Sequence, residues 1–176
     1  MPEPGDTFTL YDGSELTVLE RPSGPEDKLV MKFVFPDGCG SPPAHTHPYS
    51  SEVFTVEQGS FELLVGRQWK KVSAGESLTV SPGVRHTYRN SSGAGVVVHN
   101  VHDPHHEFEA YIREIAALTH EAKAAEPKTP MQAMKAAMMF RRYPDLIRPA
   151  DLPLKIAFPL LDTVGRIARV SLPAPV

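Results

Sequence analysis

The chain reads as an all-β barrel followed by an α-helical extension, and three observations predict this. Between residues 7 and 101, short alternating apolar runs are separated by turn residues every eight to twelve positions, as in a sandwich or barrel. From Pro104 the apolar period lengthens to three or four, the spacing of one helical face. Within the alternating part, the stretch 43–59 sets His45, His47 and Glu52 close together, and Gly83, Val84, Arg85 and His86 follow, with Asn90 four residues beyond His86. The barrel is assigned to residues 1–104 and the extension to 105–176.

Taken in order, residues 1–6 form a polar arm. Strands are expected at 7–10 and 15–19, joined at Asp12 and Gly13, a favourable turn pair. After a loop at 21–27, the strand 29–35 puts Leu29, Met31, Phe33 and Phe35 on one face and Lys32 on the other. From Glu52 the chain alternates again, with Phe54 and Val56 beside the carboxylate. Further strands follow at 61–65, 69–73, near Leu78 and Val80, at 86–90 and at 96–101. The extension divides into helices at 105–125, 131–142 and 154–170, with Pro127 and Pro130 between the first two and a loop at 144–153. Met134, Met138 and Met139 fall near one side of the second helix. They suit plastic packing against a core or partner, or a lid over the barrel mouth.

The histidines suggest a metal centre. Side chains two apart on a strand share a face, and the roots of His45 and His47 lie about 6.6 Å apart at 3.3 Å per residue. Two imidazoles at that separation can converge on one ion at about 2.0–2.1 Å from each nitrogen. Pro48 interrupts pairing and allows a turn that returns Glu52 toward the same ion. A carboxylate on an inward apolar face needs a compensating cation. His86, after the Pro82–Gly83 turn, completes a set of three nitrogens and one carboxylate. Such a set suits Fe, Mn, Ni, Co, Cu or Zn as a divalent ion. Met31, Phe33, Phe54, Leu63 and Leu78 are expected to wall the pocket, with Tyr88 as its polar, catalytic group. His99 and His102 have opposite parity, so at most one points inward. His99 is counted with the pocket, and the inward one would orient a ligand or carry protons. His105, His106 and His120 are expected at the surface.

These residues resemble the two motifs of the cupin superfamily. His45, His47, Glu52 and Gly59 fit the first, with Gly38 or Gly40 near its leading glycine but off by one residue. Gly75, Gly83, His86 and Asn90 fit the second, with Ser81 where the motif has proline and Pro82 one place later. The resemblance covers about residues 28–101. It implies a jelly-roll barrel (double-stranded β-helix) and one metal held by His45, His47, Glu52 and His86. With its helical tail, the chain also resembles bacterial single-domain cupins.

Composition excludes other classes. Net charge is -3 with the basic residues scattered, which argues against a nucleic-acid partner. Cys39 is the only cysteine, so no internal disulfide can form and a small buried side chain is expected. The first residues carry neither an apolar run nor a basic segment, so a cytoplasmic protein is expected. The last helix is too interrupted by charge to span a bilayer. Packing on the barrel or on a second subunit is expected ahead of a membrane surface, and a homodimer is expected.

Four protein ligands leave up to two positions on a six-coordinate ion, beside an apolar wall. An oxygen-dependent, dioxygenase-like enzyme acting on a small, apolar, metal-chelating substrate is the first reading. A non-oxidative isomerase, cyclase or lyase is the second, with proton transfer by Glu52 or Tyr88. A non-catalytic small-molecule-binding barrel is the third.

Overall fold

In the computed structural model, residues 4–10, 13–20, 22–39, 42–122 and 129–174 are described. Asp12 of the first expected turn, Gly40, residues 123–125 at the end of the first expected helix and Pro127 lie outside them. The elements in order are β1 (Thr7–Thr9), β2 (Glu15–Glu20), β3 (Leu29–Phe35), β4 (His45–Thr46), β5 (Ser51–Gln58), β6 (Ser60–Val65), β7 (Gln68–Ser73), β8 (Ser77–Val80), β9 (His86–Arg89) and β10 (Val96–Asp103). The extension holds α1 (Phe108–Ala122), α2 (Pro130–Arg142), β11 (Arg148–Pro149) and α3 (Leu152–Ile167).

Two antiparallel sheets make the jelly roll. One has the order β1-β2-β3-β10-β5-β8 and the other β11-β4-β9-β6-β7. Period-two alternation decides which side chains enter the interior. β3 buries Leu29, Met31, Phe33 and Phe35, β5 buries Glu52, Phe54 and Val56, and β10 buries Val96, Val98, Asn100 and His102. The apolar members of these rows join one core with Phe61, Leu63 and Val72. Cys39 is buried, as expected. Asn90 is a clamp between loops. Its Nδ2 donates to the carbonyls of Phe35, Pro36 and Ala94, and its Oδ1 accepts from the Ser92 backbone and hydroxyl.

The extension closes on this core. Phe108, Tyr111, Ile112, Leu118, Met139, Phe140, Leu146 and Ile147 belong to the same buried cluster as the barrel strands. Strand β11 falls inside the expected loop at 144–153. Two residues long and containing proline, it has no alternation to read, and it adds to the edge of β4 as Arg148↔Thr46 and Pro149↔His45, where proline is tolerated. Arg85 reaches Asp151 at 2.9 Å. Helix α1 begins three residues later than expected because His106 takes a positive φ of 50°. A capping box between Thr129 and Gln132 starts α2. The methionines serve packing: a Cβ at Gly165 of α3 would stand 2.5 Å from Met138 Sδ and 3.1 Å from Met134 Sδ. No helix among the described residues is long and apolar enough to cross a membrane.

Two motif glycines differ in what they tolerate. Gly59 has φ +81° and a Cβ there would lie 2.9 Å from the Gly95 carbonyl oxygen, whereas Gly83 has φ +75° with nothing within 4 Å. A left-handed backbone costs a side-chain-bearing residue about 1–2 kcal/mol. Gly83→Ala should therefore lower the melting temperature by roughly 2–8 °C. Gly59→Ala should lower it further, because backbone must also move. Equal losses in parallel thermal melts would show that the Gly95 contact carries no weight.

Candidate metal centre

Two cross-strand pairs, one in each sheet, build the site. In the smaller sheet β4 pairs with β9 so that His45 stands opposite His86, and His47 follows two residues on. In the larger sheet β10 pairs with β5 so that His102 stands opposite Glu52. All five side chains are buried, none more than 7% exposed. One ligand atom from each of His45, His47 and His86 lies within 4.8 Å of the others, and the same holds for His47, Glu52 and His102. The structure thus brings together all four residues that the motifs single out and adds a fifth.

Hydrogen bonds fix which atom each imidazole presents. His45 Nδ1 bonds the Pro43 carbonyl at 2.8 Å, His47 Nδ1 the Leu146 carbonyl at 2.8 Å and His86 Nδ1 the Val84 carbonyl at 2.9 Å. A carbonyl only accepts, so each Nδ1 carries the proton and each Nε2 keeps a lone pair. This is how proteins set the tautomer of a ligating histidine. His102 is used differently. Its Nε2 lies 2.9 Å from Glu52 Oε1, which also accepts from Asn100 Nδ2 at 3.0 Å. With Oε1 so held, Oε2 faces His86 Nε2 at 3.0 Å and His47 Nε2 at 3.7 Å.

Glu52 Oε2 and His86 Nε2 stand 3.0 Å apart, and with the His86 proton on Nδ1 neither atom has a hydrogen-bond partner. Orphaned buried polar atoms of this kind cost free energy, and a cation between them satisfies both. Three Nε2 lone pairs and one carboxylate oxygen, each oriented from behind, fit a divalent transition ion.

The protonation states agree. Burial, helped by the neighbouring His86 ring, pulls His45 down to about 3. Burial and then His102 hold His47 well below its ordinary value. Burial alone would raise Glu52, but His102 and His86 outweigh it and the carboxyl stays well below the usual range. Burial opposes the charge on His86, but the Glu52 carboxylate prevails and the group is raised. The Glu52 carboxylate and the His86 ring thus attract each other across the position an ion would take, beside the neutral imidazoles of His45 and His47. A ligating histidine must be neutral at Nε2, so protons compete with a metal ion for His86.

The remaining expected site residues divide. Met31, Phe33, Phe54 and Leu63 are core side chains at 0–4% exposure, and Leu78 packs against them partly buried. Tyr88 lies two residues along β9 from His86 and stacks on Phe35 with ring centroids 4.5 Å apart. His99 points away from the interior. It pairs with Lys32 and Thr55, and in a β10 that runs on to Asp103 the inward row is Val96, Val98, Asn100 and His102. His105 is a second correction, since it is buried with Nε2 2.9 Å from the Gly24 carbonyl. His106 is half-buried and His120 exposed. Phe108 joins the site although no motif marks it. Its ring stacks on His102 at 3.7 Å between centroids and meets His47 edge-on at 5.9 Å. The Leu146 carbonyl, a backbone group 99 residues from His47, leaves no signal in the sequence.

Residues 31–102 match the family model described as Cupin domain. With the two-sheet jelly roll, this identifies the barrel as a cupin fold. Among solved structures, the chain is similar to an RmlC-like cupin from Shewanella frigidimarina, at 23% identity, TM-score 0.52, covering 62% of this chain and 92% of that one. An uncharacterised conserved protein with a double-stranded β-helix domain from Klebsiella pneumoniae matches at 22% identity and TM-score 0.45, covering 59% and 82%. The cupin domain of Schizosaccharomyces pombe Cnp3 matches at 16% identity and TM-score 0.47, covering 51% of this chain and 64% of that one. No curated protein gives a significant match.

Two outcomes test the site. The unfolded chain takes up protons on histidines below pH 6.5, whereas folded His45 does so only near 3. Metal-free protein should therefore lose stability as pH falls from 6.5 toward 3. His45 alone accounts for about 2 kcal/mol between pH 6.5 and 5. His47 acts in the same sense, whereas His86, raised by the Glu52 carboxylate, opposes the loss in part near pH 6.5. Chemical denaturation in EDTA at the two pH values measures this, and His45→Gln should flatten the slope. Separately, His102→Ala should weaken metal affinity about 10–100-fold, while His99→Ala leaves it unchanged in a competition titration with a chromogenic chelator.

Proposed function

We propose that the protein is a metal-dependent cupin enzyme that binds one divalent transition ion through His45, His47, His86 and Glu52. Its reaction is oxygen-dependent and dioxygenase-like, on a small apolar substrate with a metal-chelating oxygen. The observation that carries this reading is the shared orientation of three imidazoles, each with Nδ1 tied to a carbonyl and Nε2 left for a ligand. A bound ion supplies Lewis acidity and, for a redox-active metal, electron transfer to a bound partner. The chain's own residues do the rest. His102 and Asn100 hold Glu52 by one oxygen. Phe108 and the 146–147 turn keep water from the histidines, and the apolar core favours an apolar substrate.

A second reading, a metal-bound barrel that binds without catalysis, is favoured by the depth of the cluster beneath Phe108 and Leu146. An oxygen electrode separates the readings. With Fe(II) or Ni(II) and a trial catechol or diketone, the protein should consume dioxygen, and His86→Ala should abolish uptake. Anaerobic turnover with Zn(II) or Mn(II) would replace the oxidative reaction with an isomerase, cyclase or lyase. Thermal stabilisation by ligand without turnover would establish the binding barrel.

A further inference from the structure

Helix α3 has two faces. Its inner face buries Phe158, Asp162 and Gly165 and packs on α2 through Met134 and Met138. The opposite face carries Leu152, Ile156, Leu160, Val164 and Ile167, each between 52% and 78% exposed. Their spacing of four, four, four and three places them in one apolar arc along the helix. No charged residue of α3 falls within that arc. Nothing among the described residues covers it, and exposed apolar surface of this extent marks an interaction site.

Charge decides what it meets. Along one edge of the arc, Lys155 and Pro159 of α3 also line a cleft of about 230 Å³ that Arg141 shares with Arg148, the latter paired with Asp145 at 3.3 Å. Arg141 and Lys155 form no ion pair among the described residues, nor does Arg169 just past the helix. The one acid of α3, Asp162, is buried and already bonded to Arg166 at 3.0 Å. A two-fold pair of α3 helices would bring cationic edges together with no free acid on either helix to meet them. An anionic surface with an apolar layer beneath it matches both features, because lipid phosphates meet the cleft while the arc enters the acyl boundary. We propose that the outer face of α3, with Arg141 and Lys155 at the cleft beside it, docks the protein on an anionic lipid bilayer, the helix lying in the interface without crossing it.

Sedimentation of the full chain with vesicles tests this, using phosphatidylcholine alone and with about one third phosphatidylglycerol. The protein should pellet with the anionic vesicles, not with the neutral ones, and salt should release it. Leu160→Asp should reduce binding at least tenfold, and Arg141→Gln and Lys155→Gln about fivefold each. All three residues are exposed, so melting temperature and metal content should stay unchanged. Failure to pellet with anionic vesicles overturns the proposal, as does equal binding to neutral ones or full binding by Leu160→Asp. A dimer in light scattering that Leu160→Asp splits, without vesicle binding, would overturn it in favour of a subunit interface.

Discussion

A buried carboxylate among four imidazoles is the constraint on which this structure depends. Glu52 sits on an inward row of β5 where its neighbours are Phe54 and Val56, and its ionised form is tolerable only because every approach to it is controlled. One oxygen is held by His102 and Asn100, and the other faces His86 and His47. The register of both sheets follows from this. A slip of one residue in β5 or β10 would turn Glu52 or His102 to the outside and leave its partner unpaired. The jelly roll supplies the two pairings, and the site in turn makes other registers costly.

The helical extension is part of the site's support. Leu146 fixes the tautomer of His47, Phe108 packs on the ring that orients Glu52, and β11 pairs with the strand that carries His45. Docking of the extension and the ligand geometry are therefore linked through named hydrogen bonds and ring contacts. Phe108 and the Leu146 carbonyl cover the cluster on the side of the extension. Met134 and Met138, whose spacing alone also suits a lid, pack α2 against α3 at Gly165. The same extension then turns an apolar face outward, so it supports the histidine cluster on one side and exposes Leu152, Ile156, Leu160, Val164 and Ile167 on the other.

The barrel is legible in the sequence because alternation is a local property. Leu29, Met31, Phe33 and Phe35 read as one inward row and are one, and a His-x-His pair, a nearby Glu and a remote His after a Pro-Gly turn form a set that chance rarely produces. The fifth histidine is half legible. Parity separates His99 from His102, but ending the last strand at Val101 hides which of them continues the inward row. Asn100 and His102 become visible once β10 runs to Asp103. What is not legible is non-local: a backbone carbonyl at Leu146, a two-residue strand with a proline, and an aromatic ring arriving from the first turn of α1. These depend on how the extension folds back, and no periodicity records that. His105 escapes a sequence reading for a related reason, since its burial comes from a contact with the Gly24 loop.

The central claim is that three Nε2 atoms and Glu52 Oε2 form one cation site. Metal analysis of the untagged protein as purified tests it most directly, set beside a His45→Ala/His86→Ala variant. The account predicts about one transition-metal ion per chain in the first and none in the second, because removing two of four ligands leaves too few to hold the ion. A wild-type protein that carries no metal and shows no change in melting temperature with Zn(II), Mn(II) or Fe(II) would contradict it.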